Sequence, residues 1–183
     1  MPVRKYQNKE VYEYRSKLKG NLFTTRFNNK TYEENREFCK KNSKMGCIYS
    51  AEEPIGQNIN IQSIILVLEM NNEKNRVMGI GMIKNNPIYK KYEVYQEGRY
   101  NTFSYVGKYR IDREEVTEEE EEIMKVFDIL CFKGNRHLKR LKGIKAFPID
   151  MLYGCSKIKD LVEFVTNMFK KRFIDKNNEN KKD

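Results

Sequence analysis

The sequence predicts an α+β fold: a small curved mixed sheet flanked by helices. Three observations carry this. Short runs rich in β-branched and aromatic residues, at 21–27, 47–50, 63–70, 76–83 and 103–111, read as strands. Segments with helical spacing of apolar residues and capping signals are interleaved with them. No βαβ unit with a glycine-rich phosphate loop is present, which excludes a doubly wound parallel sheet.

Taken in order, residues 8–19 read as a helix with Val11, Tyr14 and Leu18 on one face and Gly20 as its stop. NLFTTRF at 21–27 reads as a strand, Asn28–Lys30 as a turn, and Thr31 with Glu34 as the capping box of a helix running to about Lys41. CIYS at 47–50 is a short strand. SIILVLEM at 63–70 is the clearest strand, because its unbroken apolar run implies burial on both faces. NNEKN turns it back into RVMGIGMI, where Gly79 and Gly81 strip one face of side chains, so a bulky group is expected against it. A tyrosine-rich loop follows, then a strand over 103–111. Thr117 caps a helix whose first turn, Glu118–Glu122, is all acid and complements the helix dipole. Ser156 is expected to open the last helix, with Ile158, Leu161, Val162, Val165, Met168 and Phe169 as its core face. The expected organisation is an N-terminal extension over 1–20, one domain over 21–174, and a polar, disordered tail over 175–183.

Composition narrows the function classes. The 183 residues carry a formal charge of +10, which suits a nucleic acid or another acidic partner. No apolar run approaches the ~20 residues that span a bilayer. The N-terminus lacks a signal-peptide hydrophobic segment, so an intracellular protein, cytoplasmic or nuclear and without a membrane partner, is expected. Cys39, Cys47, Cys131 and Cys155 show no paired spacing and read as free thiols; no cofactor and no metal are expected.

The charge is concentrated. Between Asp128 and Asp150 there is no carboxylate, while Lys133, Arg136, Lys139, Arg140, Lys142 and Lys145 fall there, together with His137, the single histidine. Clustered cations repel one another unless a polyanion is expected. Gly134 and Gly143 let backbone N–H groups come close to an anion. Nothing places a nucleophile beside His137, and the acidic run at 118–122 points several ways from one helix turn, so a binding protein is read here and not an enzyme.

Three passages resemble the YTH and EVE domains of the PUA-like superfamily, over roughly residues 21–172. They are LFTTRFNN with the capped helix and GCIYS; the hairpin SIILVLEMNNEKNRVMGIGMI; and GKYRIDREEV followed by NRHLKRLKGIKAFP. The resemblance implies a PUA-like curved sheet or open barrel. It also implies a groove for single-stranded RNA or an extruded, often methylated, base, gripped by aromatic rings beside a basic surface. Arg26 and Asn28 match the family's basic and polar residues after the first strand. Ile48 falls near the first cage tryptophan, with Tyr49 and Ser50 just after it. The chain has no tryptophan. Tyr49, or Tyr89, Tyr92 or Tyr95 in the loop that carries the family's second cage aromatic, would have to stack the base. The implied nucleic-acid-binding set is Arg26, Asn28, Arg136, His137, Lys139, Arg140, Lys142 and Lys145, with Tyr49, Ser50, Tyr89, Tyr92 and Tyr95 for the base. RNA is the favoured partner, with single-stranded or modified DNA as alternatives.

Two other readings stay open. RLKG at 140–143 and the hairpin are similar to parts of GNAT-type acyltransferases. An acidic helix and a basic face also suit a protein-interaction module.

Overall fold

A computed structural model describes residues 3–56, 58–88 and 91–174. The chain falls into two compact units, one formed by residues 1–21 and 147–183 and the other by residues 22–146. The mixed α+β class expected from the sequence is observed, with seven strands and five α-helices among the described residues. None of these helices is long and apolar enough to cross a membrane.

The terminal unit is helical. α1 (Val3–Lys17) starts earlier and ends sooner than the sequence suggests. In this unit the ring of Tyr14 lies 5.7 Å from that of Tyr153, and the Tyr153 hydroxyl donates to Glu10 at 2.5 Å. The expected last helix is corrected into two: α4 (Ile149–Ser156) and α5 (Leu161–Phe169). Ser156 therefore closes a helix instead of opening one. The true N-cap is Asp160, whose carboxylate accepts from the Glu163 N–H at 3.0 Å and so satisfies a donor that the helix leaves orphaned. Ile158 falls in the link between the two helices and is 95% exposed, while Leu161, Val162, Val165, Met168 and Phe169 are buried as their spacing implies.

The sheet unit contains β1 (Asn21–Phe27), α2 (Asn29–Lys41), β2 (Cys47–Ala51), β3 (Ile64–Asn71), β4 (Arg76–Lys84), β5 (Phe103–Gly107), β6 (Tyr109–Asp112), α3 (Glu118–Phe132) and β7 (Lys145–Ala146). A five-stranded mixed sheet runs in the order β6–β4–β3–β1–β7, and it is not closed into a barrel. β2 and β5 form a separate antiparallel pair. The single strand expected over 103–111 is thus split at Lys108, and its halves serve different sheets. The reason is steric. A Cβ at Gly107 would collide with the Met82 carbonyl, and one at Gly46 with the Lys108 carbonyl, so the chain crosses here at backbone contact distance.

The capping of α2 is also corrected. Asn28, and not Thr31, is the N-cap: its Oδ1 accepts from the Thr31 N–H at 2.8 Å, and the Thr31 hydroxyl accepts from the Asn28 N–H at 3.0 Å. Asn is among the strongest N-caps, and Thr31 completes the box from N3, so the helix begins three residues sooner. Thr117 caps α3 as the sequence indicates, with Glu120 reciprocating.

The bare face of β4 receives the polar heart of the sheet unit. Glu69, fully buried at a register shift in β3, takes a bidentate pair from Arg110 (2.9 and 2.6 Å) and a hydrogen bond from the Tyr49 hydroxyl (2.7 Å). Arg110 also donates to Asp112 and to the Tyr32 hydroxyl. A Cβ on Gly79 would strike the Arg110 guanidinium, and one on Gly81 the Tyr49 hydroxyl. The two glycines exist to admit these groups. Burial alone would lower the Arg110 pKa, yet the Glu69 charge and hydrogen bonds raise it. Burial pushes the neighbouring Cys47 thiol up to about 12, so it stays protonated and inert.

Candidate nucleic-acid groove

A groove of about 340 Å³ opens in the sheet unit where β1 runs into α2. Arg26 and Asn28 come from that junction, Ser50 from the end of β2, Glu52 from just beyond it, and Asn72 from the β3–β4 turn. Tyr95, Arg99 and Tyr100 come from the loop before β5, and Lys142 from the segment before β7. Five residues expected to share a site therefore do meet: Arg26, Asn28, Ser50, Tyr95 and Lys142.

Each wall is held by local chemistry. The β3–β4 turn docks on the start of α2: the Asn72 N–H donates to the Phe27 carbonyl at 2.8 Å, and Asn71 Nδ2 donates to Asn29 Oδ1 at 3.0 Å. The Tyr95 loop is pinned by Asn101, 3% exposed, whose Oδ1 accepts from the Val94 and Tyr95 N–H groups and whose Nδ2 donates to the Tyr95 carbonyl. Asn35 Nδ2 donates to the Tyr95 hydroxyl at 3.1 Å, and burial raises that phenol's pKa. The rings of Tyr95 and Tyr100 meet edge to face, with centroids 6.4 Å apart at 86°. The Arg99 guanidinium lies 5.1 Å above the Tyr100 ring.

The basic segment is anchored as well. Leu138 and Ile144 are buried beneath it. The Lys139 carbonyl accepts from both Arg26 Nη1 (3.0 Å) and Asn72 Nδ2 (3.1 Å), while Lys139 Nζ donates to Asn75 Oδ1. Gly143 turns with φ +71°, a conformation that a side chain would strain. Lys145 pairs with Glu53 at 3.1 Å. Lys142 lines the groove and makes no hydrogen bond or ion pair among the described residues. The N-terminus of α2 adds its partial positive charge at the same end.

The other expected residues stand elsewhere. Tyr49 is fully buried in the core and held by Glu69, so its ring has no open face. In β2 all five residues are buried, and the outward alternation that would expose Tyr49 does not occur. Tyr92 packs edge to face on Phe38 at 5.7 Å. Arg136 and Arg140 are exposed and His137 is half-buried; none of the three lines the groove. Lys139 and Lys145 stand beside it in the contacts already described. Tyr89 and the tail over 175–183 lie outside the described residues.

Sequence reasoning missed Glu52, Asn72, Arg99 and Tyr100. Tyr100 lay within the tyrosine-rich stretch, and Arg99 beside it was the available signal. Asn72 read only as a turn residue. A second hollow, of about 460 Å³, shares Tyr95 but sets Glu34, Glu37 and Glu93 against Lys41 and Lys91. That mixture does not favour a polyanion. Three of the four free cysteines are buried, and no group of three or more His, Cys, Asp or Glu side chains among the described residues is placed to hold a metal ion. No family model matches this chain, and no curated protein matches it.

Proposed function

We propose that this chain is a nucleic-acid-binding module with a PUA-like, YTH/EVE-like sheet unit. It binds single-stranded RNA, turning one base into the groove, and it performs no catalysis. The observation that carries this reading is the single groove that gathers Arg26, Asn28 and Lys142 with Tyr95 and Tyr100, residues far apart in the chain. Phosphates sit at the positive end, against Arg26, Lys142 and the N-terminus of α2, where backbone N–H groups and the helix dipole favour anions. The base stacks at the tyrosine corner, where each aromatic contact is worth about 1–3 kcal/mol irrespective of sequence. The exposed Arg136 and Arg140 extend the phosphate track beyond the groove. Duplex major-groove reading is disfavoured, because a pocket of this size admits one splayed base and not a helix of base pairs.

The test is a titration of RNA, single-stranded DNA and duplex at two salt concentrations. The expected result is tighter binding of single strands, with affinity falling steeply as salt rises. No binding at low salt, or binding indifferent to salt, would overturn the reading.

A further inference from the structure

The cations in and around the groove are of two kinds, distinguished by what already holds them. Two are matched by carboxylates: Arg99 Nε lies 3.4 Å from Glu97, and Lys145 Nζ lies 3.1 Å from Glu53. The others have only neutral partners or none. Arg26 donates to the Lys139 carbonyl at 3.0 Å, and Lys139 Nζ donates to the amide oxygen of Asn75 at 2.8 Å. The side chains of Lys142 and of the exposed Lys74 make no hydrogen bond or ion pair among the described residues. A cation paired with a carboxylate must give up or share that partner before it can neutralise a phosphate. One held by a carbonyl or an amide keeps its full charge for the ligand.

This second group is built into one surface. The Lys139 carbonyl accepts from Asn72 Nδ2 as well as from Arg26, which ties the basic segment to the β3–β4 turn. The turn itself is fixed: Asn71 Oδ1 accepts from the Glu73 and Lys74 N–H groups. Asn75 follows at φ +50°, a left-handed conformation that Asn tolerates, and presents its oxygen to Lys139. The carboxylate of the turn, Glu73, is turned onto α2, where it accepts from the Asn29 N–H. We propose that the bound strand leaves the groove across the β3–β4 turn, with Lys139 and Lys74 holding the phosphates that follow those at Arg26 and Lys142. This rests on the nucleic-acid reading given above and adds the turn to the binding surface.

The experiment is an anisotropy titration of the full chain with an oligouridine of about ten nucleotides over a series of salt concentrations. Each phosphate contact on a single strand contributes about 0.7 to the slope of log affinity against log salt. Replacing both lysines, Lys74→Gln with Lys139→Gln, is expected to lower that slope by about 1.4 and to weaken binding at low salt. Lys74→Gln alone should lower it by about 0.7, and it carries the test should the double variant fail to fold. Lys125→Gln, which removes an exposed charge from α3, should leave the slope unchanged. A lysine variant of the turn with the parent slope, an equal loss in Lys125→Gln, or a loss confined to Lys145→Gln overturns the path across the turn and leaves groove binding standing. No binding by the parent protein overturns both.

Discussion

Tyr49, Glu69 and Arg110 form one Tyr–Glu–Arg set inside the sheet unit; Tyr100, Glu52 and Arg99 form another at the groove. The residue types are the same, but their surroundings are opposite. Glu69 is fully buried and accepts three hydrogen bonds from its two partners, and Arg110 is matched by two carboxylates. Glu52 makes no hydrogen bond or ion pair among the described residues, and Arg99, its side chain 57% exposed, pairs only with the equally exposed Glu97 at 3.4 Å. A closed, satisfied set fixes the fold, because each member would be expensive to strand in a low dielectric. An open set costs little to hold and has valences left for a ligand. Satisfaction, more than composition, separates architecture from site.

The sharpest way to break this comparison is at Glu69. Glu69→Ala leaves the buried Arg110 guanidinium with Asp112 as its one carboxylate and is expected to cost about 3–5 kcal/mol, enough to unfold a marginal domain, as a loss of the cooperative melt would show. Tyr49→Phe removes only the hydroxyl that reaches Glu69; it should cost about 1–3 kcal/mol in denaturant unfolding and leave RNA affinity unchanged. Tyr100→Ala should do the reverse. Melting is expected to stay within about 0.5 kcal/mol of the parent, while binding weakens by about 1–3 kcal/mol. Tyr100→Ala that lowers stability by more than about 1 kcal/mol while leaving RNA affinity unchanged would erase the distinction.

A third set lies between these extremes. Arg113, buried at the end of β6, donates to Glu121 and Asp128 of α3, and Asp128 also accepts from the Val77 N–H. The hydrogen bond from Arg113 holds the Glu121 carboxyl below its ordinary value of 4.5. A depressed carboxylate contributes stability that is complete above the unfolded value and is lost as pH falls through the folded one. Stability should therefore decline below about pH 4.5. Glu121→Gln should flatten that part of the profile in melts taken across acid pH, the smallest effect in this series.

Much of the fold was legible because it rests on local rules. The runs at 21–27, 63–70 and 76–83 became strands within a residue of their expected limits, and Thr117 capped its helix. The glycines of β4 announced a close neighbour, but only the fold identified it as Arg110 and Tyr49. Where local signals competed, they misled. Asn28 outranked Thr31 as a cap, and Ser156 yielded to Asp160. The site was half legible: a lysine-rich segment and a tyrosine-rich loop could be seen as two walls, with no means of telling which members would face each other.

By itself, then, the sequence determined the class of fold, the strongly basic surface and the residue types able to hold a phosphate and stack a base. These follow from composition, periodicity and capping, which act over a few residues. Only the tertiary structure decided that Tyr49 belongs to the core and Tyr100 to the groove, and that Asn72 borders the groove with an unmatched oxygen. Burial and hydrogen-bond satisfaction depend on partners distant in the chain: Glu69 for Tyr49, and the Lys139 carbonyl for Asn72. No local pattern of residues specifies such partners.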